Sequence, residues 1–146
     1  AGQKRYFMMG LSAGYHNLDD FRSGKRPCGA NETFWLEQEE RMFAIFKKVI
    51  ALGLLPVCGT DAGTGGTRFD ETWLELALMV RRGCLSAREA IRIGTAQSAA
   101  CLGLTRETGA IGEGLSADLI ALETDPITCI EALAHPARIM AQGRLV

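Results

Sequence analysis

The segment CGTDAGTGGT, Cys58 to Thr67, places one carboxylate, Asp61, among four glycines, directly after the apolar run Leu54-Leu55-Pro56-Val57. Three readings compete for it. A phosphate-cradling P-loop needs a lysine after its last glycine, and no Lys occurs between Lys48 and the end of the chain. Without that charge on the phosphates the reading fails. A dinucleotide fingerprint needs G-x-G-x-x-G, and Gly63-Thr64-Gly65-Gly66-Thr67-Arg68 ends in arginine. A strand before it and a helix after it keep this reading open as an alternative. The third reading is an acid at the carboxyl end of a parallel strand. In (β/α)8 barrels catalytic groups sit there, where loops converge on one mouth. An aspartate so placed can bind a metal and take a proton from water. A plain turn aspartate that hydrogen-bonds the next loop amides competes on equal terms.

Outward from this loop the chain alternates strands and helices. Arg5 to Gly10 is a short apolar run ended by glycine and reads as a strand. Leu11 to Asn31 is rich in Gly, Ser, Asn and Asp and reads as a long loop. A helix follows, capped by Asn31 or Thr33, with Met42, Phe43, Phe46, Val49 and Ile50 on one face and Gly53 as its stop. Proline is tolerated at a strand start, so the next strand is expected from Val57 onward. A helix from about Asp70 to Arg82, with Asp70 as cap, is apolar almost all round and should be buried. Ser86-Ala87-Arg88-Glu89 is a capping box opening a helix that runs to Leu102 and stops at Gly103. From Thr105 short apolar pieces and glycines predict small strands, a helical turn over 127–133, and a closing hairpin around Gly143. Two parallel strands do not make a stable open sheet alone, so part of a larger sheet is expected elsewhere.

The bulk properties narrow the function classes. The chain has 146 residues, with 16 Lys+Arg against 17 Asp+Glu. A net charge near zero and no basic run longer than two residues give no electrostatic handle for nucleic acid or an anionic membrane. No apolar stretch approaches the roughly 20 residues of a membrane span. The start, AGQKRYFMMG, lacks the apolar core of a signal peptide and an initiator Met, so it is expected to lie within a longer protein. The five cysteines, at 28, 58, 84, 101 and 129, contain no C-x-x-C pair. Most of them read as buried small apolar residues in a reducing, cytoplasmic compartment.

Four ordered segments carry a resemblance. They are LLPVCGTDAG, the A-x-x-x-x-T-x-x-x-A-x-x-L-G helix (Ala90, Thr95, Ala99, Leu102, Gly103), the G-x-I-x-x-G-x-x-A-D-L segment from Gly109 to Leu119, and the closing I-x-x-x-G turn in RIMAQGRLV. Together, over about residues 36 to 146, they resemble the C-terminal part of the metal-dependent amidohydrolase superfamily, in its imidazolonepropionase-like and Xaa-Pro dipeptidase branch. The resemblance implies an α/β chain: the C-terminal portion of a (β/α)8 TIM barrel, about strands 7 and 8 with their helices, followed by part of a small β-sandwich. Residues 1–107 would belong to the barrel and 108–146 to the sandwich. Tyr6 to Met9 would lie near strand 7 and Val57 to Thr60 in strand 8.

By the same resemblance, Asp61 is the strand-8 metal-site acid and the base that activates water in hydrolysis of amide or related C–N bonds. Divalent metal, zinc by expectation and one or two ions, would be completed by residues outside this chain. The family's H-x-H pair, bridging lysine or glutamate, and further histidines have no counterpart here. A catalytic zinc typically takes about three protein ligands, so the chain alone is expected to be inactive. Its expected partners are a small-molecule substrate and the remaining N-terminal part of the barrel, with homo-oligomers open. Arg68 could pair with a substrate carboxylate, and Thr64 shares its loop; a solvated arginine is the blander reading. Asp19 and Asp20 read as a solvated turn, Glu71 and Glu75 as capping and surface charges, and His16 and His135 as structural or solvated. The alternative to an enzyme is a non-catalytic, barrel-derived binding module.

Overall fold

In a computed structural model, describing residues 4–25, 32–64 and 66–146, two short strands form the first sheet. β1 (Tyr6–Met8) pairs in parallel with β2 (Leu55–Val57), in the register Tyr6 to Leu55, Phe7 to Pro56 and Met8 to Val57. The expected strand from Val57 onward is therefore displaced toward the N-terminus, with Pro56 in its middle. The pairing explains the tolerance. Leu55 donates its N–H to the Arg5 carbonyl on the β1 side. Pro56, next along the strand, faces the opposite edge, where β1 needs no donor. Its carbonyl there takes the Gln97 side-chain amide.

Between the strands lie two helices, α1 (Leu11–Arg22) and α2 (Glu32–Ala51). α1 replaces the expected long loop; its last residues and the cap proposed at Asn31 border or fall outside the described residues. The polar composition of 11–22 has low helix propensity, but tertiary packing overrides it. Leu11 and Leu18, seven apart on one face, are buried. Gly14 lets α2 approach closely: a Cβ there would meet the Met42 methyl at 2.7 Å.

After β2 the chain forms α3 (Thr72–Arg81), α4 (Ala87–Arg92), a π-helical segment over Ile93–Gln97, and α5 (Ser98–Leu102). The capping box at Ser86 and Glu89 is complete in both directions, and Gly103 closes α5 in the left-handed conformation at φ 77°. At α3 the expectation of an Asp70 cap fails. Glu71 occupies the cap position without a side-chain cap bond, and Asp70 is drawn instead to Arg68. The core joins Leu11, Phe43, Phe46, Leu74, Leu76, Leu78, Met79, Ala90 and Ile93. Phe7 adds an edge-on contact to Phe46, with ring centroids 5.8 Å apart.

The π segment has a positional consequence. It lets the consecutive residues Gln97 and Ser98 both face β2, where Gln97 donates to Pro56 and Ser98 Oγ accepts the Cys58 N–H at 3.1 Å. Such insertions commonly re-aim side chains at structurally sensitive places.

A second sheet is antiparallel, in the order β3 (Leu119–Ala121), β4 (Arg138–Ala141), β5 (Arg144–Leu145), with a 3-10 turn at Ile130–Ala134. The closing hairpin turns through Gln142 and Gly143 at φ 50° and 78°, the left-handed pair that a tight hairpin needs. Asp118 braces it, accepting Gln142 N–H at 2.8 Å and the Thr108 hydroxyl at 2.9 Å. Among the described residues no helix is long and apolar enough to cross a membrane.

Candidate active site

Asp61 lies four residues beyond the end of β2, on the carboxyl side of both parallel strands. Its neighbour across the sheet is Gly10, just after β1: a Cβ on Gly10 would sit 3.5 Å from the Asp61 Cβ and 3.5 Å from the Thr60 carbonyl oxygen. Asp61 is exposed, at φ 56°. The turn it opens is built from its backbone. Its carbonyl accepts the Thr64 N–H at 3.2 Å and the Thr64 hydroxyl. Its carboxylate has no hydrogen-bond partner among the described residues, unlike that of an ordinary turn aspartate, which spends its side chain on the loop.

The rest of the loop is strapped onto α1. Ser12, His16 and Asp20, spaced four apart, present one helix face to it. Ser12 Oγ lies 3.5 Å from the Thr60 carbonyl, His16 Nε2 donates to Glu71 Oε2 at 2.8 Å, and Asp20 Oδ2 sits 3.3 Å from where a Gly66 Cβ would be. Glu71 also accepts the Arg68 N–H at 2.9 Å. This corrects two expectations: Glu71 has a matching histidine, and Asp19–Asp20 belong to a helix. Arg68 is exposed and grips Asp70 with both arms of its guanidinium, at 2.8 and 2.6 Å. That pair holds the Asp70 carboxyl below the usual carboxylate range and raises the arginine further. His135 is exposed, in the segment leading to β4. The Thr67 hydroxyl is buried without a partner among the described residues.

Glu75 departs furthest from expectation. It is fully buried, 0% exposed. Its two carboxylate oxygens accept the Leu11 N–H at 3.0 Å and the Ser12 N–H at 2.8 Å. Burial pushes it up to about 7, against the opposing pull of those amides. The available sequence signal was one acid inside an otherwise apolar helix: such a residue is buried and must be hydrogen-bonded. Burial, reinforced by Glu75, raises the Cys58 thiol to about 12. Cys58 is only half-buried by surface, and Cys84, Cys101 and Cys129 are exposed, which overturns the expectation of buried thiols; Cys28 lies outside the described residues.

Among the described residues no three His, Cys, Asp or Glu side chains gather where they could hold a metal. The exposed Asp61 carboxylate, without a partner among the described residues, suits a single oxygen ligand. A cavity of about 600 Å3, lined by Ile91, Leu102, Leu104, Ile111, Leu119 and Ile120 among others, does not include Asp61.

The amidohydrolase family model matches residues 37–146. The chain belongs to the amidohydrolase family. It is 35% identical over 95 residues to ochratoxinase from Aspergillus niger, covering 64% of this chain and 19% of that one. The fold matches a candidate prolidase from Bifidobacterium longum at a TM-score of 0.81 and 32% identity, over 97% of this chain and 35% of the other. It also matches an Xaa-Pro dipeptidase with methionine bound in its active site, at a TM-score of 0.79 and 26% identity, over 97% of this chain and 34% of the other. This amidohydrolase chain thus spans about a third of the solved relatives' length and a fifth of the curated relative's. Members of the family are generally metal-dependent.

Proposed function

We propose that this chain supplies the C-terminal part of a metal-dependent hydrolase of amide bonds, with Asp61 as its acid–base residue. β1 and β2 correspond in this reading to strands 7 and 8 of a (β/α)8 barrel, residues 1–107 to its barrel part and 108–146 to part of a β-sandwich. The observation that carries the reading is the Asp61 carboxylate, without a hydrogen-bond partner among the described residues, at the carboxyl edge of a parallel pair and beside Gly10, which follows the neighbouring strand. Strand ends of this kind are where barrel enzymes place catalytic groups.

The chemistry follows from the carboxylate. Asp61 takes a proton from the attacking water and returns it to the leaving amine, a role worth roughly 100- to 10,000-fold in rate. A divalent cation, when bound, supplies Lewis acidity toward the carbonyl oxygen; Asp61 is the described residue that would help hold it, with the other ligands outside this chain. Thr64 and Arg68 share the loop. Arg68 would recognise a substrate carboxylate by exchanging Asp70 for it, since its planar fork suits either partner.

The matched relatives suggest substrates: a dipeptide ending in proline, or another amide. The test is Asp61→Asn in the complete protein with such a dipeptide. Turnover should fall at least about 100-fold, on the scale of a lost acid–base group. Activity within a few-fold of the parent would refute the assignment.

A further inference from the structure

α3 is apolar along its buried run from Leu74 to Met79 except at Glu75. A carboxylate there is costly to bury, and a leucine would serve packing alone better. What the carboxylate does is specific. It accepts the amides of Leu11 and Ser12, the first two of α1. Those groups have no partner within their own helix, and the positive end of the helix dipole favours an anion beside them. The two contacts pin the corner at which β1 turns into α1.

The same corner lies beside the Thr60–Asp61 peptide. Gly10 immediately precedes the two pinned amides, and a Cβ placed on it would lie 3.5 Å from both the Asp61 Cβ and the Thr60 carbonyl oxygen. Ser12, completely buried, carries its hydroxyl between the Glu75 carboxylate and the Thr60 carbonyl. Both routes end on the Thr60–Asp61 peptide. Asp61 itself holds φ 56°, a left-handed conformation that costs a residue with a side chain and persists where the surroundings over-determine it. We infer that Glu75 is a positioning residue for Asp61, acting through the Gly10–Ser12 corner to fix the backbone from which the Asp61 carboxylate projects. Its catalytic consequence rests on the reading of Asp61 above; the coupling itself is a property of the fold.

The experiment compares E75Q, S12A, D61N and the double variant D61N/E75Q in the complete protein. Glutamine keeps the shape and one acceptor of Glu75 but turns a donor toward the second amide. The readouts are the backbone amide resonances of Gly10 and Asp61 in selectively 15N-labelled protein, the affinity for cobalt(II) as metal probe, and kcat and KM on a dipeptide ending in proline. E75Q should shift both amides, weaken cobalt binding roughly ten-fold, the usual cost of losing a residue that orients a ligand, and lower kcat with KM little changed. S12A should do the same to a smaller degree. In the double variant the Glu75 change should add nothing to the loss in D61N, because residues acting as one unit are non-additive.

Full additivity overturns the inference. So does an E75Q protein with unmoved amides and parental cobalt affinity beside a D61N protein that has lost it, and that pattern leaves the assignment of Asp61 standing. D61N with parental affinity and turnover overturns the assignment of Asp61 and this inference together. Should E75Q fail to fold, S12A, which removes one hydroxyl, decides by the same readouts: shifted amides with weakened cobalt binding support the coupling, and parental values overturn it.

Discussion

Replacing Glu75 by glutamine should change how stability depends on pH, in a direction set by the raised carboxyl group. In the folded state burial lifts Glu75 from 4.5 to about 7. Between those values the folded protein holds a proton that the unfolded chain has released, so stability must fall as pH rises. The contribution is fully present below about 4.5 and is lost as pH passes through about 7. At 1.36 kcal/mol per pKa unit, a rise of this size corresponds to roughly 3 kcal/mol. Glutamine cannot titrate, so it removes this slope while leaving every other titrating group in place. The assay is equilibrium urea unfolding of parent and E75Q at several pH values from 4.5 to 8.5. The parent should lose about 3 kcal/mol relative to E75Q across that range. Parallel stability curves would refute the claim that burial dominates at this carboxylate. The sign also bears on positioning: only the ionised form accepts both amides, so above about pH 7 the protein gives up stability to keep its corner pinned. Functional sites commonly carry such a cost.

Three further outcomes follow from local geometry. Ser86→Ala removes one half of the capping box and leaves the Glu89 amide without its acceptor; it should lower stability by about 1 kcal/mol in a urea titration. Gly83→Ala would drive a methyl to 2.5 Å from the Met79 carbonyl oxygen and 2.9 Å from the Phe46 ring, so a loss of roughly 1–3 kcal/mol or more is expected from overpacking, read as a lowered thermal midpoint. Under native conditions at neutral pH, iodoacetamide followed by peptide mass analysis should label the exposed Cys84, Cys101 and Cys129 and spare Cys58, whose thiol is held up to about 12; rapid labelling of Cys58 would contradict its burial.

Several elements were legible because their causes lie within a few residues. Ser86 and Glu89 satisfy each other three positions apart, Gly103 closes a helix at φ 77°, and Gly143 turns a hairpin at φ 78°. The glycine-rich loop after an apolar strand was equally local, which is why Asp61 stood out. The exposure of Cys84, Cys101 and Cys129 was not legible, because packing and not residue type decides it.

The alternation of strands and helices, their glycine stops, and an acid just past the second parallel strand all follow from residue order along the chain. That residues 11–22 are helical depends on packing across the fold: beside the local bond from the Leu11 N–H to the Met9 carbonyl, their first two amides are held by Glu75, 64 and 63 positions away. The tertiary structure likewise decided that Pro56 sits within β2, because which edge of the strand needs a donor depends on where β1 lies. Backbone hydrogen-bonding groups demand partners, but the chain reveals those partners only when they are near in sequence; distant ones become visible when packing brings them together.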